Sequence, residues 1–502
     1  MRASKPTTKH KLEFGDFQTP LDLASEICRF LHEQGVRPKT LIEPTCGKGS
    51  FIIASLRTFD TVRKIIGLDI NQDYLQELAG NVMSSSVEVR LLNQNIFYVD
   101  WNETFADVSQ PLLVIGNPPW VTNASLGVFN SNNLPTKSNF NADKGLDALT
   151  GKSNFDISEW MLLRICEWAQ NKQSIIAMLC KTAVARKILR HVWKHNLNLS
   201  NFSIHRIDAK RYFGADVSAC LLVCTGNNTT ATKQCAVYDG LSCKSRLSLI
   251  GMHKSELLAD IAKYNHWAFL DGPEEHYKWR SGLKHDCSDV MELVREPDGF
   301  KNGLGEHCDI EPDFVYPLAK GSDIAQNRQE QPRRWGLVTQ KDTSEDTRFI
   351  RQLAPKTWGY LLHHAQYLDK RKSAVYKGRP RFCLFGIGDY AFSPWKVAVC
   401  GLYKRLHFSA VGPNKGKPTM LDDTCYYLPC KTEDEAALIV ELLNSKPAKE
   451  FLSSLIFWDA KRPITSGVLQ RLNLVSLAQH LGKSNALEEY LDKTLFDLVG
   501  SS

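Results

Sequence analysis

The chain has 502 residues, 43% of them hydrophobic and 23% charged, the size and make-up of a soluble protein of more than one domain at roughly 100–200 residues each. No apolar run approaches the ~18–20 residues of a membrane span, and the opening MRASKPTTKHKLEFG lacks a signal-peptide core, so membrane insertion and secretion are argued against. The net charge is only +7 and none of the 14 cysteines forms a CxxC pair, which fits a reducing, cytoplasmic location without structural zinc.

Thr19-Pro20 reads as a helix N-cap followed by proline at the first helical position. The helix continues with Leu23, Ile27, Phe30 and Leu31 on one face. Candidate strands follow at 40–43, 64–70, 87–92, 112–115, 174–179, 203–207 and 218–224. Helical patterns at 51–59, 72–82, 157–169 and 183–195 fall between them. This alternation predicts an α/β, Rossmann-like, doubly wound and mostly parallel sheet with helices on both faces. Residues 121–154, rich in Asn, Ser, Gly and Lys, interrupt it, and a loop of that length points to function or disorder. Beyond about 226 the rhythm shortens. The expected division is a catalytic domain over 1–235 and a mixed α+β domain over 236–502.

Charge is uneven within the second domain. Residues 351–417 hold thirteen Lys/Arg against Asp369 and Asp389, a local net of +11, leaving about −4 (7 minus 11) for the rest. Trp358, Tyr360, Tyr367, Tyr376, Phe382, Tyr390, Trp395 and Tyr403 are interleaved with those cations. Cations release counterions from a phosphate backbone and aromatics stack or wedge. A solvated basic face with core aromatics between is the plainer alternative.

Two stretches carry chemistry. In TLIEPTCGKGSF, 40–51, Gly47 and Gly49 allow a sharp turn after a strand and close approach of a ligand. Asp69 ends the next strand, where an acid can accept hydrogen bonds from both ribose hydroxyls of an adenosine-type cofactor. Ile52 stands where a GxGxxG motif needs glycine, and Gly-Lys-Gly replaces the Gly-Lys-Ser/Thr of a phosphate loop. In LLVIGNPPW, 112–120, two prolines fix an extended turn at a strand's carboxyl end. The Asn117 side-chain oxygen and the Pro118 carbonyl can accept from one NH2 group there, with Trp120 as a flat face beside them. A plain βαβ turn with a solvated Asp69, and a structural Asn-Pro-Pro turn, are the simpler alternatives.

On these residues the chain resembles the S-adenosylmethionine-dependent DNA adenine-N6 methyltransferases with gamma-type motif order and a C-terminal target-recognition domain, like the type II restriction-modification methylases. FQTP at 17–20 is similar to the leading motif, so Phe17, Thr19 and Pro20 are implied at the methionine end of the cofactor. EPTCGKGSF is similar to the glycine-rich loop, which implies cofactor contacts from Glu43, Thr45, Cys46, Gly47 and Gly49. The resemblance makes Asp69 with Ile70 the ribose-binding pair and places Asn95 and Ile96 at the adenine ring of the cofactor. It makes Asn117, Pro118, Pro119 and Trp120 the catalytic motif. YFGADVSACLLV at 212–223 resembles the strand motif whose aromatic stacks on a flipped base; Phe213 takes that role, or Tyr212 with a one-residue shift. WRSGLKHDCSDVMEL, EPDFVYPLAKGSDI and FWDAKRPIT look like recognition-domain segments.

The resemblance implies methyl transfer to adenine in a specific double-stranded DNA sequence by base flipping, with Trp120 and Phe213 sandwiching the base. It also implies a separately encoded restriction endonuclease as a possible companion, no membrane partner, and a monomer. Competing readings are transfer to cytosine N4, where Ser-Pro-Pro is more usual, to RNA adenine, or to protein glutamine, whose enzymes are shorter. A non-catalytic DNA-binding module is a further alternative. His285 and Cys287 form a lone pair without further ligands, and no metal is expected.

Overall fold

The computed structural model describes residues 18–83, 85–121, 156–227, 232–330 and 332–499. Phe17 and the polar segment after Val121 therefore lie outside the described residues. Two compact units divide the chain, Met1–Ile261 and Ala262–Ser502. Among the described residues no helix is long and apolar enough to cross a membrane.

The first unit is built on apolar runs too short for helices, bounded by turn residues. They form β1 (Thr40–Glu43), β2 (Lys64–Asp69), β3 (Glu88–Asn93), β4 (Leu112–Gly116), β5 (Ser174–Lys181), β6 (Leu199–Ile207) and β7 (Ala219–Gly226). Every residue of β1 and β4 is buried, as expected for central strands of a parallel sheet covered on both faces. The order is β3-β2-β1-β4-β5-β7-β6. β1 is parallel to both β2 and β4, and β7 alone runs against its neighbours β5 and β6.

The sheet then continues through β8 (Gln234–Tyr238), β9 (Arg246–His253) and β10 (Glu256–Leu258). This corrects the expected boundary at 235/236. Because β8 pairs in parallel with β6, these strands belong to the first unit, which ends at Ile261.

Helices cover the sheet: α1 (Leu21–Glu33), α2 (Ser50–Thr58), α3 (Gln72–Val82), α4 (Ile157–Ala169) and α5 (Thr182–Lys194), with the short α6 (Ala209–Phe213) before β7. α1 buries Leu23, Ala24, Ile27, Cys28, Phe30 and Leu31, the 3.6-residue stripe its sequence predicts. Leu23, Ile27, Phe30 and Leu31 each contribute roughly 1.5–3 kcal/mol by leaving water. α1 starts one residue later than expected. Pro20 is its cap residue, at ψ 140°, with no side-chain capping bond, and the Thr19 carbonyl accepts from the Ser50 hydroxyl at 2.7 Å.

The second unit is mixed α+β. One six-stranded sheet has the order β14-β13-β12-β16-β15-β19: β12 (Glu292–Glu296), β13 (Gly299–Asn302), β14 (His307–Cys308), β15 (Val315–Ala319), β16 (Arg334–Leu337) and β19 (Met420–Leu421). A four-stranded antiparallel sheet has the order β11-β20-β17-β18: β11 (Arg280–Ser281), β17 (Trp395–Cys400), β18 (Ser409–Val411) and β20 (Cys425–Cys430). α7 (Pro355–His363) and α8 (Glu433–Asn444) are among its helices.

Candidate active site

In an open α/β sheet the carboxyl ends of the strands form the ligand crevice where the strand order reverses. Here that point lies between β1 and β4, and the loops after β1, β2 and β4 carry the glycine loop, Asp69 with Ile70, and Asn117–Trp120. The loop after β1 turns because Gly47 and Gly49 sit at φ +51° and +78°, a left-handed backbone costly for other residues. Its amides are tied down: Cys46 N donates to the Leu68 carbonyl at 2.8 Å and Gly49 N to the Cys46 carbonyl at 2.7 Å. Gly47 N donates to Asp69 Oδ2 at 2.8 Å.

Asp69 ends β2 as expected. Its other oxygen accepts from Asn71 N at 2.8 Å. The carboxylate therefore braces the glycine loop directly. Ile70 is 43% exposed beside it. Asn95 caps the short 3₁₀ turn Ile96–Tyr98 by accepting from Phe97 N at 3.1 Å, with Ile96 buried. Lys48 leans outward and pairs with Glu77 at 2.7 Å.

Glu43 is only 3% exposed. Burial, reinforced by the negative charge of Asp69, holds its carboxyl well above the usual range, against a backbone bond from Ile52. Glu43 Oε2 and Thr45 Oγ1 are buried with no hydrogen-bond partner among the described residues. A ligand bearing positive charge and polar hydrogens fits this acidic, under-satisfied strand end, and S-adenosylmethionine carries an ammonium and a sulfonium. Burial, with Glu43 and Asp69 nearby, also pushes the Cys46 thiol far up, so Cys46 lines the loop and is no thiolate.

The Asn117–Trp120 segment leaves β4, the strand paired in parallel with β1. A Cβ placed on Gly116 would lie 3.6 Å from Glu43 Cγ and 3.7 Å from Pro44 Cδ. Asn117 and Pro119 are half-buried, Pro118 and Trp120 buried. The Trp120 and Phe213 rings meet edge-on, with centroids 5.1 Å apart and planes at 66°. A sandwiched base needs parallel rings about 7–8 Å apart, two van der Waals contacts of ~3.5–4 Å. The expected sandwich is therefore not the arrangement in this structure: the rings fill the gap with each other, as aromatic quadrupoles favour. Tyr212 is tied elsewhere, its hydroxyl donating to Glu26 at 3.0 Å.

Gln18, Lys181 and Asp156, at this end of the sheet, were not singled out by sequence. Gln18, inside FQTP, accepts from Lys48 N at 3.0 Å. Lys181, a lone charge closing the apolar strand SIIAMLCK, donates to the Trp120 carbonyl at 2.9 Å and to Asp156 at 2.6 Å. Those signals were present but local patterns do not say what they touch.

In the second unit the basic stretch is partly structural. Arg371 donates to the carbonyls of Leu368 at 2.8 Å and Cys383 at 2.7 Å and lies 4.0 Å from the Tyr376 ring centroid. Arg381 pairs with Asp369, Lys417 with the Pro312 and Val315 carbonyls, and Lys396 is buried. Tyr360 and Phe382 are core residues. Lys370, Lys372, Tyr403, Lys404 and Arg405 are exposed. His285 contacts Glu292 at 3.2 Å and accepts from Cys287 N, so packing accounts for that pair.

Comparison with known proteins adds three findings. A family model described as N-6 DNA Methylase matches residues 4–273, through the added strands of the first unit. The type II methyltransferase M.NspV of Nostoc sp. (strain ATCC 29411 / PCC 7524) is 46% identical over 472 residues, 94% of this chain and 98% of that protein. Among solved structures, the type IIL restriction-modification enzyme MmeI in complex with DNA is similar in fold, with TM-score 0.50 and 12% identity, covering 97% of this chain and 76% of that one.

Proposed function

The chain belongs to the N-6 DNA methylase family, and from that membership we propose that it methylates the N6 amino group of adenine in a specific double-stranded DNA sequence, flipping the base out of the helix. DNA is the substrate class and S-adenosylmethionine the methyl donor that go with this family. When bound, the cofactor supplies an electrophilic methyl group. The observation that carries the reading is that the Asn117-Pro118 turn and the glycine loop leave the same end of two neighbouring parallel strands, β4 and β1.

In this reading the first unit holds the cofactor. Asp69 takes the ribose hydroxyls, Ile70, Asn95 and Ile96 line its adenine, and Thr19 and Pro20 cover the methionine end. Glu43, Thr45, Cys46, Gly47 and Gly49 shape the loop. The Asn117 side-chain oxygen and the Pro118 carbonyl accept from the target amino group. That pulls its lone pair out of conjugation and toward the methyl group, stabilisation that grows toward the transition state. Pro119 keeps the turn rigid, so orientation supplies much of the rate. Trp120 stacks on the extruded base and Phe213 parts from it to cover the other face, since a base inside a duplex cannot reach the site. Exposed cations of the second unit, Lys404 and Arg405 among them, hold phosphates. The likeness to a type II methyltransferase supports a modification role beside a separately encoded endonuclease, with the protein acting as a monomer in the cytoplasm.

The test is transfer of labelled methyl from S-adenosylmethionine to unmethylated duplex DNA, followed by nucleoside mass spectrometry, with Asn117→Ala in parallel. N6-methyladenine from the unmutated chain alone is expected. N4-methylcytosine, or no transfer to DNA by a chain that binds the cofactor, refutes the reading.

A further inference from the structure

We propose that Lys181 is a positioning residue for the Asn117–Trp120 turn, acting through the Trp120 carbonyl; the proposal rests on the methyltransferase reading above. The turn has an anchoring problem written into its composition. Pro118 and Pro119 carry no N–H, so the segment that must present Asn117 has few main-chain donors with which to tie itself down. Its carbonyls are what remains to grip.

Lys181 supplies that grip. It is the last residue of β5, the strand paired with β4, where Gly116 faces Met178. Its ammonium donates to the Trp120 carbonyl at 2.9 Å and to Asp156 Oδ2 at 2.6 Å. The Asp156 side chain is 8% exposed. Its other oxygen accepts from the Ser158 amide at 3.1 Å and hydroxyl at 2.5 Å, capping α4. One residue further along each strand of the chain, Ile157 N donates to the Val121 carbonyl at 2.9 Å. A single ammonium thus locks the end of the Asn-Pro-Pro-Trp turn to the first turn of α4. An ammonium offers three donors, so it serves carbonyl and carboxylate together. With its carbonyl held by Lys181, Trp120 keeps its place in the turn when Phe213 parts from its ring. A misplacement of about 1 Å of reacting groups can cost ~10²-fold in rate, which is what such a lock prevents.

The full chain tests this with Lys181→Met, Lys181→Arg and the double variant Lys181→Met/Asp156→Asn. Lys181→Met leaves a buried carboxylate without its cation, which by itself destabilises; the double variant removes that charge. The readouts are kcat, KM for DNA, the dissociation constant for S-adenosylmethionine, and Tm. Lys181→Met is expected to lower kcat roughly 10- to 100-fold while cofactor affinity stays within about twofold. Lys181→Arg is expected to recover most of the rate. The double variant is expected to regain Tm and keep the kcat loss, since the Lys181 ammonium no longer donates to the Trp120 carbonyl. Wild-type kcat in the double variant overturns the proposal, because Lys181 then only balances Asp156. Equal losses of kcat and cofactor affinity in all three variants, Arg included, overturn it too. An unmutated chain that binds cofactor and methylates no DNA refutes the methyltransferase reading instead, and is seen before any variant is made.

Discussion

Alanine at Gly49 and at Gly47 separates two costs that are usually merged. Both residues have positive φ, +78° and +51°, so a Cβ at either pays about 1–2 kcal/mol of backbone strain. Their neighbours differ. A Cβ on Gly49 would sit 2.2 Å from Leu78 Cδ1, 2.6 Å from Cδ2 and 2.9 Å from Cγ, and Leu78 is fully buried on α3. It has nowhere to go, and overpacking of this kind adds about 1–3 kcal/mol. A Cβ on Gly47 would meet only the amide end of Gln18, at 2.6 Å, which can swing away. Gly49→Ala should therefore cost about 3 kcal/mol and Gly47→Ala about 1 kcal/mol, the backbone term plus overpacking in the first case and the backbone term alone in the second. For a unit of this size those are Tm falls of roughly 6–12 °C and 2–4 °C, read by thermal scans of the full chain. Cofactor affinity should fall in both, because Gln18 Oε1 now braces Lys48 N at 3.0 Å and must leave it when Gly47 is substituted. Equal Tm shifts, or no shift for Gly49→Ala, would show that Leu78 repacks freely and that the loop geometry is not enforced by α3.

Other consequences are as direct. The Glu43 carboxyl sits above its ordinary value of 4.5 by burial and the Asp69 charge. The folded state therefore binds a proton that the unfolded chain releases, and the cofactor-free protein should lose stability as pH rises from about 4.5 toward the folded value. Glu43→Gln should flatten that slope in Tm-against-pH series; an unchanged slope would count against a protonated Glu43. Burial lowers the Lys396 ammonium to about 7, so its penalty is full below that pH and fades between pH 7 and 10.5 as the folded state sheds the proton first. Lys396→Met should accordingly raise Tm more at pH 6 than at pH 9. For DNA binding, Lys404→Gln/Arg405→Gln should reduce the slope of log K against log salt by about 1.8, at ~0.9 per phosphate contact. Arg371→Gln should leave the slope alone and lower Tm, since its guanidinium is spent on the Leu368 and Cys383 carbonyls.

Runs such as LLVIG and the spacing of TCGKG are legible as sequence because few local structures tolerate them. A strand buried on both faces is mostly apolar, and a turn at positive φ favours glycine. Hence β1, β2, β4, the glycine loop and the strand-end positions of Asp69 and Asn117 could be read from one dimension. The extent of the first unit could not. β8 to β10 are only partly buried, and it is the pairing of β8 with β6 that assigns them. The basic stretch is legible only in part for a related reason: a cation's partner is invisible in composition, and Arg371, Lys396 and Lys417 are committed inside the fold while Arg381 pairs with Asp369 at the surface.

The chemistry of each group and the local geometry of its turn were thus already present in the chain, because they depend on residues a few positions apart. Which groups meet was decided by folding. Lys181 reaches Trp120 across 61 positions and Asp156 across 25, and Trp120 meets Phe213 edge-on instead of leaving a gap. Such contacts follow from strand order and packing density, and neither quantity has a local signature.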